Sequence, residues 1–266
     1  MDVESSPLMQ KIDYSTRKKI DLVNNSILRY IVRAMLACLF LTLGTAVAVM
    51  IGDKVDHFAP GLGKITYAFM FSWSLVMIIY MNAELGTSNM MYMTTSVYQK
   101  IVKPGKALQI LLLCIVCNLL GGILAGYLVS LTSVFHNLPA DHFLFTAVSG
   151  KLEKAPLQIF VEGIFANIVV NTAVLCTLRM KDDAGKVIAM IFIIFIFAFL
   201  GFEHVIANFS SFSLAFFASG GTLAAMTAGN VTVNLVLALL GNFVGGGLVI
   251  GLGYAWLNRT KSIYKD

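Results

Sequence analysis

Residues 201–208 read Gly201-Phe202-Glu203-His204-Val205-Ile206-Ala207-Asn208, a polar cluster inside an otherwise apolar stretch that runs from Val187 to Ser219. That stretch is long enough to cross a bilayer, and ionisable groups at such depth are costly and normally face a polar cavity. Backbone that leaves the helix there must be satisfied by protein or by a water-filled space. A second apolar stretch, Ile65–Val97, is interrupted in the same way by Glu84-Leu85-Gly86-Thr87-Ser88-Asn89, so each break carries Glu-x-x-x-x-Asn. None of the five prolines lies inside a span, which leaves the polar residues together with Gly86 and Gly201 to account for the breaks.

One span further along, Asn118-Leu119-Leu120-Gly121-Gly122 matches Asn242-Phe243-Val244-Gly245-Gly246. The glutamates lie 119 residues apart and the asparagines 124, so both matches fall in corresponding spans of a three-span half. Three is odd, so the halves run in opposite orientations. Inverted repeats built on broken helices place a site near the bilayer midplane, where half-helix N-termini present unpaired N–H groups.

The composition of the 266-residue chain agrees: 58% is hydrophobic and only 12% charged, against about 25% charged in a soluble domain. The spans read as helices over Leu28–Ile51, Ile65–Val97, Ala107–Leu131, Leu157–Leu178, Val187–Ser219 and Val231–Leu257. The expected fold is therefore all-α and integral to the membrane, with six transmembrane helices in inverted three-helix repeats and helices two and five broken. Residues 1–26 are expected to form a cytoplasmic surface helix, 27–257 the membrane domain (repeats 27–131 and 157–257), and 258–266 a cytoplasmic tail.

Fifteen lysines and arginines fall on the side of the termini and four, Lys54, Lys64, Lys151 and Lys154, on the other. The positive-inside rule makes both termini cytoplasmic. The net charge of +5 is then a topology signal and calls for no nucleic-acid partner. Cys38, Cys114, Cys117 and Cys176 all lie within spans. Cys114-x-x-Cys117 has no histidine or carboxylate beside it and reads as small buried hydrophobes, so no metal is expected.

His204 is the histidine placed within a span, with an ordinary pKa near the physiological range, and it is the first candidate for chemistry. Glu84 and Glu203 could form a relay or a cation site, but at a break a carboxylate can instead accept from the exposed N–H groups of the following half-helix. We read them, with Gly86 and Ser88, as structural. Glu162 reads as interfacial. Thr87, Asn167 and Asn208 complete the polar set with Asn89 and Asn171, as path lining or as glue between helices. Lys151 reads as a loop charge or as an attractor of anions into a vestibule. Phe71, Leu75, Leu85 and Phe197 lie near the breaks, as packing or as constrictions that exclude hydrated ions.

Taken together, Ala83-Glu84-Leu85-Gly86-Thr87-Ser88, Gly163-Ile164-Phe165-Ala166-Asn167, the stretch at 201–208 and Gly241-Asn242-Phe243-Val244-Gly245-Gly246 resemble the formate/nitrite transporter family over nearly the whole chain. The resemblance implies an aquaporin-like protomer with its own pore, assembled as a homopentamer in the inner (plasma) membrane. It implies His204 as the central pore histidine with Thr87 opposite, and Phe71 with Phe197 as the outer constriction. Leu75 with Leu85 would form the inner one, Lys151 would draw the anion inward, and Asn167 and Asn208 would be polar lining. Gly86 stands where the formate branch often carries a bulky aromatic, which looks more like the hydrosulfide branch and implies a wider inner slit or a more mobile loop.

The expected activity is passage of a small monovalent weak-acid anion, formate or hydrosulfide, with nitrite behind them. A proton-coupled carrier of larger monocarboxylates such as lactate is the alternative. No cofactor is called for, and no nucleophile–base or metal-ligand cluster points to an enzyme.

Overall fold

The computed structural model describes residues 6–260, 262 and 266. The first five residues of the expected surface helix, and 261 and 263–265 of the expected tail, lie outside the described residues. Helix α1 (Pro7–Asn25) starts at the Ser6 cap, whose hydroxyl accepts from the Met9 N–H, and buries Leu8, Met9 and Ile12. Its Lys11 ammonium donates to the Leu178 carbonyl. Asp266 pairs with Arg179 at 2.8 Å, so both termini gather at one end of the bundle.

Six helices are long and apolar enough to cross a membrane among the described residues. In chain order they begin with α2 (Ile27–Phe58), followed by α3 (Gly63–Phe71) running into α4 (Trp73–Tyr80). A five-residue break precedes the half-helix α5 (Gly86–Tyr98), and α6 (Pro104–Ser130) completes the first half. The second half has α8 (Pro156–Arg179), then α9 (Asp183–Leu200), a break, and the half-helix α10 (Val205–Ala218). Its last span starts as α11 (Ala228–Asn242), widens into a π-helical stretch over Phe243–Leu252 and ends as α12 (Gly253–Leu257). In the two halves α2 packs on α6 and α8 on α11.

The breaks arise differently from one another. Gly201 caps α9 with φ +74°, a left-handed conformation open to glycine at little cost. In the first half the left-handed residue is Asn82 (φ +50°), and Gly86 already belongs to the following half-helix. Gly86 is therefore not the residue that breaks the chain. A Cβ on it would stand 3.0 Å from Asn118 Oδ1 and 3.1 Å from Ile115 Cγ1, so its smallness lets α5 approach α6. A Cβ there would also lie 3.4 Å from Ile206 Cδ1.

The glycine pairs of the third and sixth spans serve packing inside one chain. Gly122 faces the Phe209 backbone and Gly126 that of Ser213, while Gly241 and Gly245 face Phe160 and Ile164 carbonyls. Along α6, Leu108, Leu112, Val116, Leu120, Leu124 and Leu128 recur every fourth residue and are exposed, a stripe suited to lipid or a neighbouring protomer.

One element was not expected. Residues 143–152, read as loop, form helix α7, with His142 as its cap accepting from the Leu144 N–H and Lys151 in its last turn. Helix α2 also runs past the expected end of the first span at Ile51, with His57 in its last turn.

Candidate functional site

Asn118 and Asn242 hold the two breaks by the same set of bonds. The Asn118 amide donates to the carbonyls of Glu84 (2.9 Å) and Ala34 (2.6 Å), and its Oδ1 accepts from the Gly86 N–H (2.8 Å). Asn242 donates to the carbonyls of Glu203 and Gly163, both at 2.8 Å, and accepts from the Val205 N–H at 2.8 Å. Backbone groups freed at membrane depth need such partners. The glutamates thus do not cap the half-helices as expected; the asparagine side chains do, and His204 Nδ1 accepts from the Ala207 N–H at 3.1 Å.

Each glutamate carboxylate instead faces an asparagine and a lysine. Glu84 Oε2 accepts from Asn89 (3.0 Å) and from Lys19 of α1 (2.6 Å). Glu203, fully buried, accepts through Oε2 from Asn208 (2.7 Å) and Asn234 (3.2 Å), and through Oε1 from Lys151 (3.1 Å) and Lys154 (2.7 Å). The first cluster opens toward the termini and the second toward the opposite end, as inverted halves require.

Two vestibules of about 450 and 440 Å³ lie at these ends. The one away from the termini, the distal vestibule, is lined by Lys64, Lys151, Lys154, Glu162, Asn208 and His204 among others. The proximal one is lined by Lys18, Lys19, Arg33, Glu84, Ser88 and Asn89. Between them is a chamber of about 20 Å³ with a largely apolar wall, room for about one water-sized molecule. Phe71 and Phe197 border both chamber and distal vestibule, their rings edge to face at 5.8 Å. Leu85 and Ile78 border both chamber and proximal vestibule, and Leu75 lines the chamber.

His204 bridges the distal vestibule and the chamber. Its Nε2 lies 2.8 Å from Thr87 Oγ1. Because Nδ1 accepts from a backbone N–H, the ring proton is assigned to Nε2, which points it at the threonine. Thr87 is fully buried on α5, and its carbonyl accepts from Asn167 (3.1 Å) and Asn171 (3.3 Å). Asn167 also donates to the Asn242 carbonyl at 2.7 Å. It stands behind the threonine and borders none of the three cavities, so its geometry is that of a brace. The Ser88 hydroxyl is buried without a hydrogen-bond partner at the wall of the proximal vestibule.

Burial drives the Lys151 ammonium below the ordinary lysine range, and Glu203 only partly offsets it. Burial acts on Lys154 too, but Glu203 and Glu162 outweigh it and hold that ammonium above the ordinary range. Sequence reading missed Lys154, Lys19, Asn118, Asn234 and Asn242 as parts of this site. The repeated Asn-x-x-Gly-Gly was the signal for two of them; the lysine partners are distant in sequence and left none.

Two vestibules joined through a narrow apolar chamber, between half-helices that enter from opposite ends, define a polytopic membrane transport protein. The formate/nitrite transporter family model matches residues 6–256, and the chain belongs to that family. It is 29% identical over 239 residues to the nitrite transporter NirC of Escherichia coli strain K12, covering 90% of this chain and 86% of that one. Among solved structures, an FNT family ion channel superposes with a TM-score of 0.87 at 24% identity, over 94% of this chain and 98% of that one. A structure described as a pentameric formate channel with formate bound gives a TM-score of 0.72 at 25% identity, over 86% and 96%.

Proposed function

We propose that the chain conducts a small monovalent weak acid, formate, hydrosulfide or nitrite, through a pore within each protomer. The observation that carries this reading is the chamber of about 20 Å³ between Phe71–Phe197 and Leu75–Leu85, with His204 in its wall. A hydrated ion does not fit there, and a bare anion pays a desolvation cost that gaining a proton removes. The anion collects at Lys151 in the distal vestibule, takes a proton there and crosses as the neutral acid. His204 receives it as a hydrogen-bond donor. With Nδ1 accepting from the Ala207 N–H, the ring proton on Nε2 is offered as a hydrogen bond rather than for transfer. The proton therefore comes from water at the vestibule.

A larger monocarboxylate such as lactate would have to displace more of the Phe71–Phe197 and Leu75–Leu85 walls than formate does. The exposed leucine stripe of α6 and the likeness to a pentameric channel support a homopentamer, with its outer apolar faces in lipid. The lysine and arginine bias supports cytoplasmic termini in the plasma membrane.

Uptake of formate, hydrosulfide, nitrite and lactate into proteoliposomes across pH tests the reading. Saturable uptake of one or more of the three small acids, rising as pH falls, is expected, with lactate at background. Uptake of none of them, or lactate as the preferred solute, would overturn it.

A further inference from the structure

Two lysines reach the same carboxylate oxygen in the distal vestibule, and only one of them has a hydrogen to spare. Lys154 donates to Glu162 Oε2 at 2.5 Å, to Glu203 Oε1 at 2.7 Å and to the Gly201 carbonyl at 2.7 Å. Those three acceptors use all three hydrogens of an ammonium group. Lys151 makes two longer bonds, to Glu203 Oε1 at 3.1 Å and the Phe202 carbonyl at 3.4 Å, and keeps one N–H uncommitted among the described residues. The other oxygen of Glu203 is taken by Asn208 and Asn234.

We infer that Lys154, held in place by Glu162, is a positioning residue that occupies Glu203 and so leaves the charge of Lys151 available to bind the anion. The inference rests on the proposed anion path and deepens it. Without Lys154, the buried Glu203 carboxylate has Lys151 as its sole cation, and the pair closes into a salt bridge that cancels the charge an incoming anion meets. Without the negative charge of Glu162, the cations of Lys154 and Lys151 are less compensated and the vestibule becomes a stronger anion trap. The side chains of Lys151, Lys154 and Glu162 are 20%, 21% and 25% exposed, so they face the vestibule while remaining partly shielded from bulk solvent.

The two halves of this device predict opposite signs. Binding in the vestibule precedes the narrow chamber, so a change there moves KM with little effect on kcat. In formate uptake by proteoliposomes at fixed pH and low ionic strength, K154Q raises KM about five- to tenfold. E162Q lowers KM by about two- to fivefold, and K154R stays near wild type. The maximal rate per assembled protein remains within about twofold in all three.

An ion pair that merely holds the loop to α8 would move KM in the same direction in K154Q and E162Q, or not at all, and either outcome overturns the inference. If K154Q does not assemble, E162Q decides alone: a lower KM supports the device, and an unchanged or higher one overturns it. Wild-type uptake with unaltered variants removes this inference and leaves the proposed function standing. Wild type that takes up none of the small acids removes both.

Discussion

His204 Nε2 stands 2.8 Å from Thr87 Oγ1, and these two residues lie at differing positions between the Glu and Asn that the two breaks share. Counting from each glutamate, Leu85 corresponds to His204 and Thr87 to Ile206, whereas Asn89 and Asn208 are the same. Each half thus supplies one polar and one apolar residue, and the inverted arrangement sets polar against polar at one point. Leu85 of the histidine slot lines the apolar chamber. Repetition builds the frame here, and departure from it builds the chemistry.

T87V removes the acceptor for the histidine proton and leaves the ring's N–H without a protein partner. A lost hydrogen bond to a buried group is worth about 1–1.5 kcal/mol, or about tenfold. Uptake by T87V is expected to fall about tenfold at every pH, with T87S near wild type. Uptake by T87V equal to wild type would show that the pair has no part in passage.

The chamber walls give a second expectation. Replacing Phe71, whose ring meets Phe197 edge to face, by alanine opens the border between vestibule and chamber and admits water. Ion exclusion then weakens, since apolar constrictions act by dewetting. F71A and L85A are expected to raise bilayer conductance to formate anion and to flatten the rise of uptake at low pH. Conductance at the wild-type level in F71A/L85A would place the barrier elsewhere.

Much of this arrangement was legible because polar groups at membrane depth are expensive, so Glu84, Thr87, Glu203 and His204 stood out against their apolar surroundings. The residues that satisfy the broken backbone did not. Asn118 and Asn242 act on segments 32 and 37 residues away, and Asn234 reaches Lys151 across 83. Such pairings exist only once the helices pack. Helix α7 escaped notice because ten residues are too few for a span, and a histidine cap is an uncommon start signal. Lys19 read as one charge among several on α1, and only the fold sets it against Glu84.

Those asparagines predict a stability effect separate from transport. N242A leaves the Val205 N–H and the Glu203 carbonyl without the partners they have, at a cost of roughly 1–3 kcal/mol for each buried group. Thermal unfolding in detergent should shift down by about 4–10 °C, and N118A should do the same because its bonds match. N242D keeps the acceptor for Val205 but sets a buried carboxylate against the Glu203 and Gly163 carbonyls, and should melt no higher than N242A. A melting temperature unchanged in both alanine variants would deny the asparagines this role.

Lys151 carries the last expectation, in pH. Burial lowers its pKa below the ordinary lysine range, against the opposing pull of Glu203. Raising the pH therefore removes this cation before an ordinary lysine would lose its own, and the vestibule loses its hold on anions. Uptake also falls with rising pH because less weak acid is protonated, but that fall is common to every variant. Arginine at this position stays charged throughout. The ratio of K151R to wild-type uptake is therefore expected to be flat near neutrality and to climb through alkaline pH, as wild-type KM rises and the variant's does not. A ratio that stays level to pH 10 would mean that the charge on Lys151 does not govern anion capture.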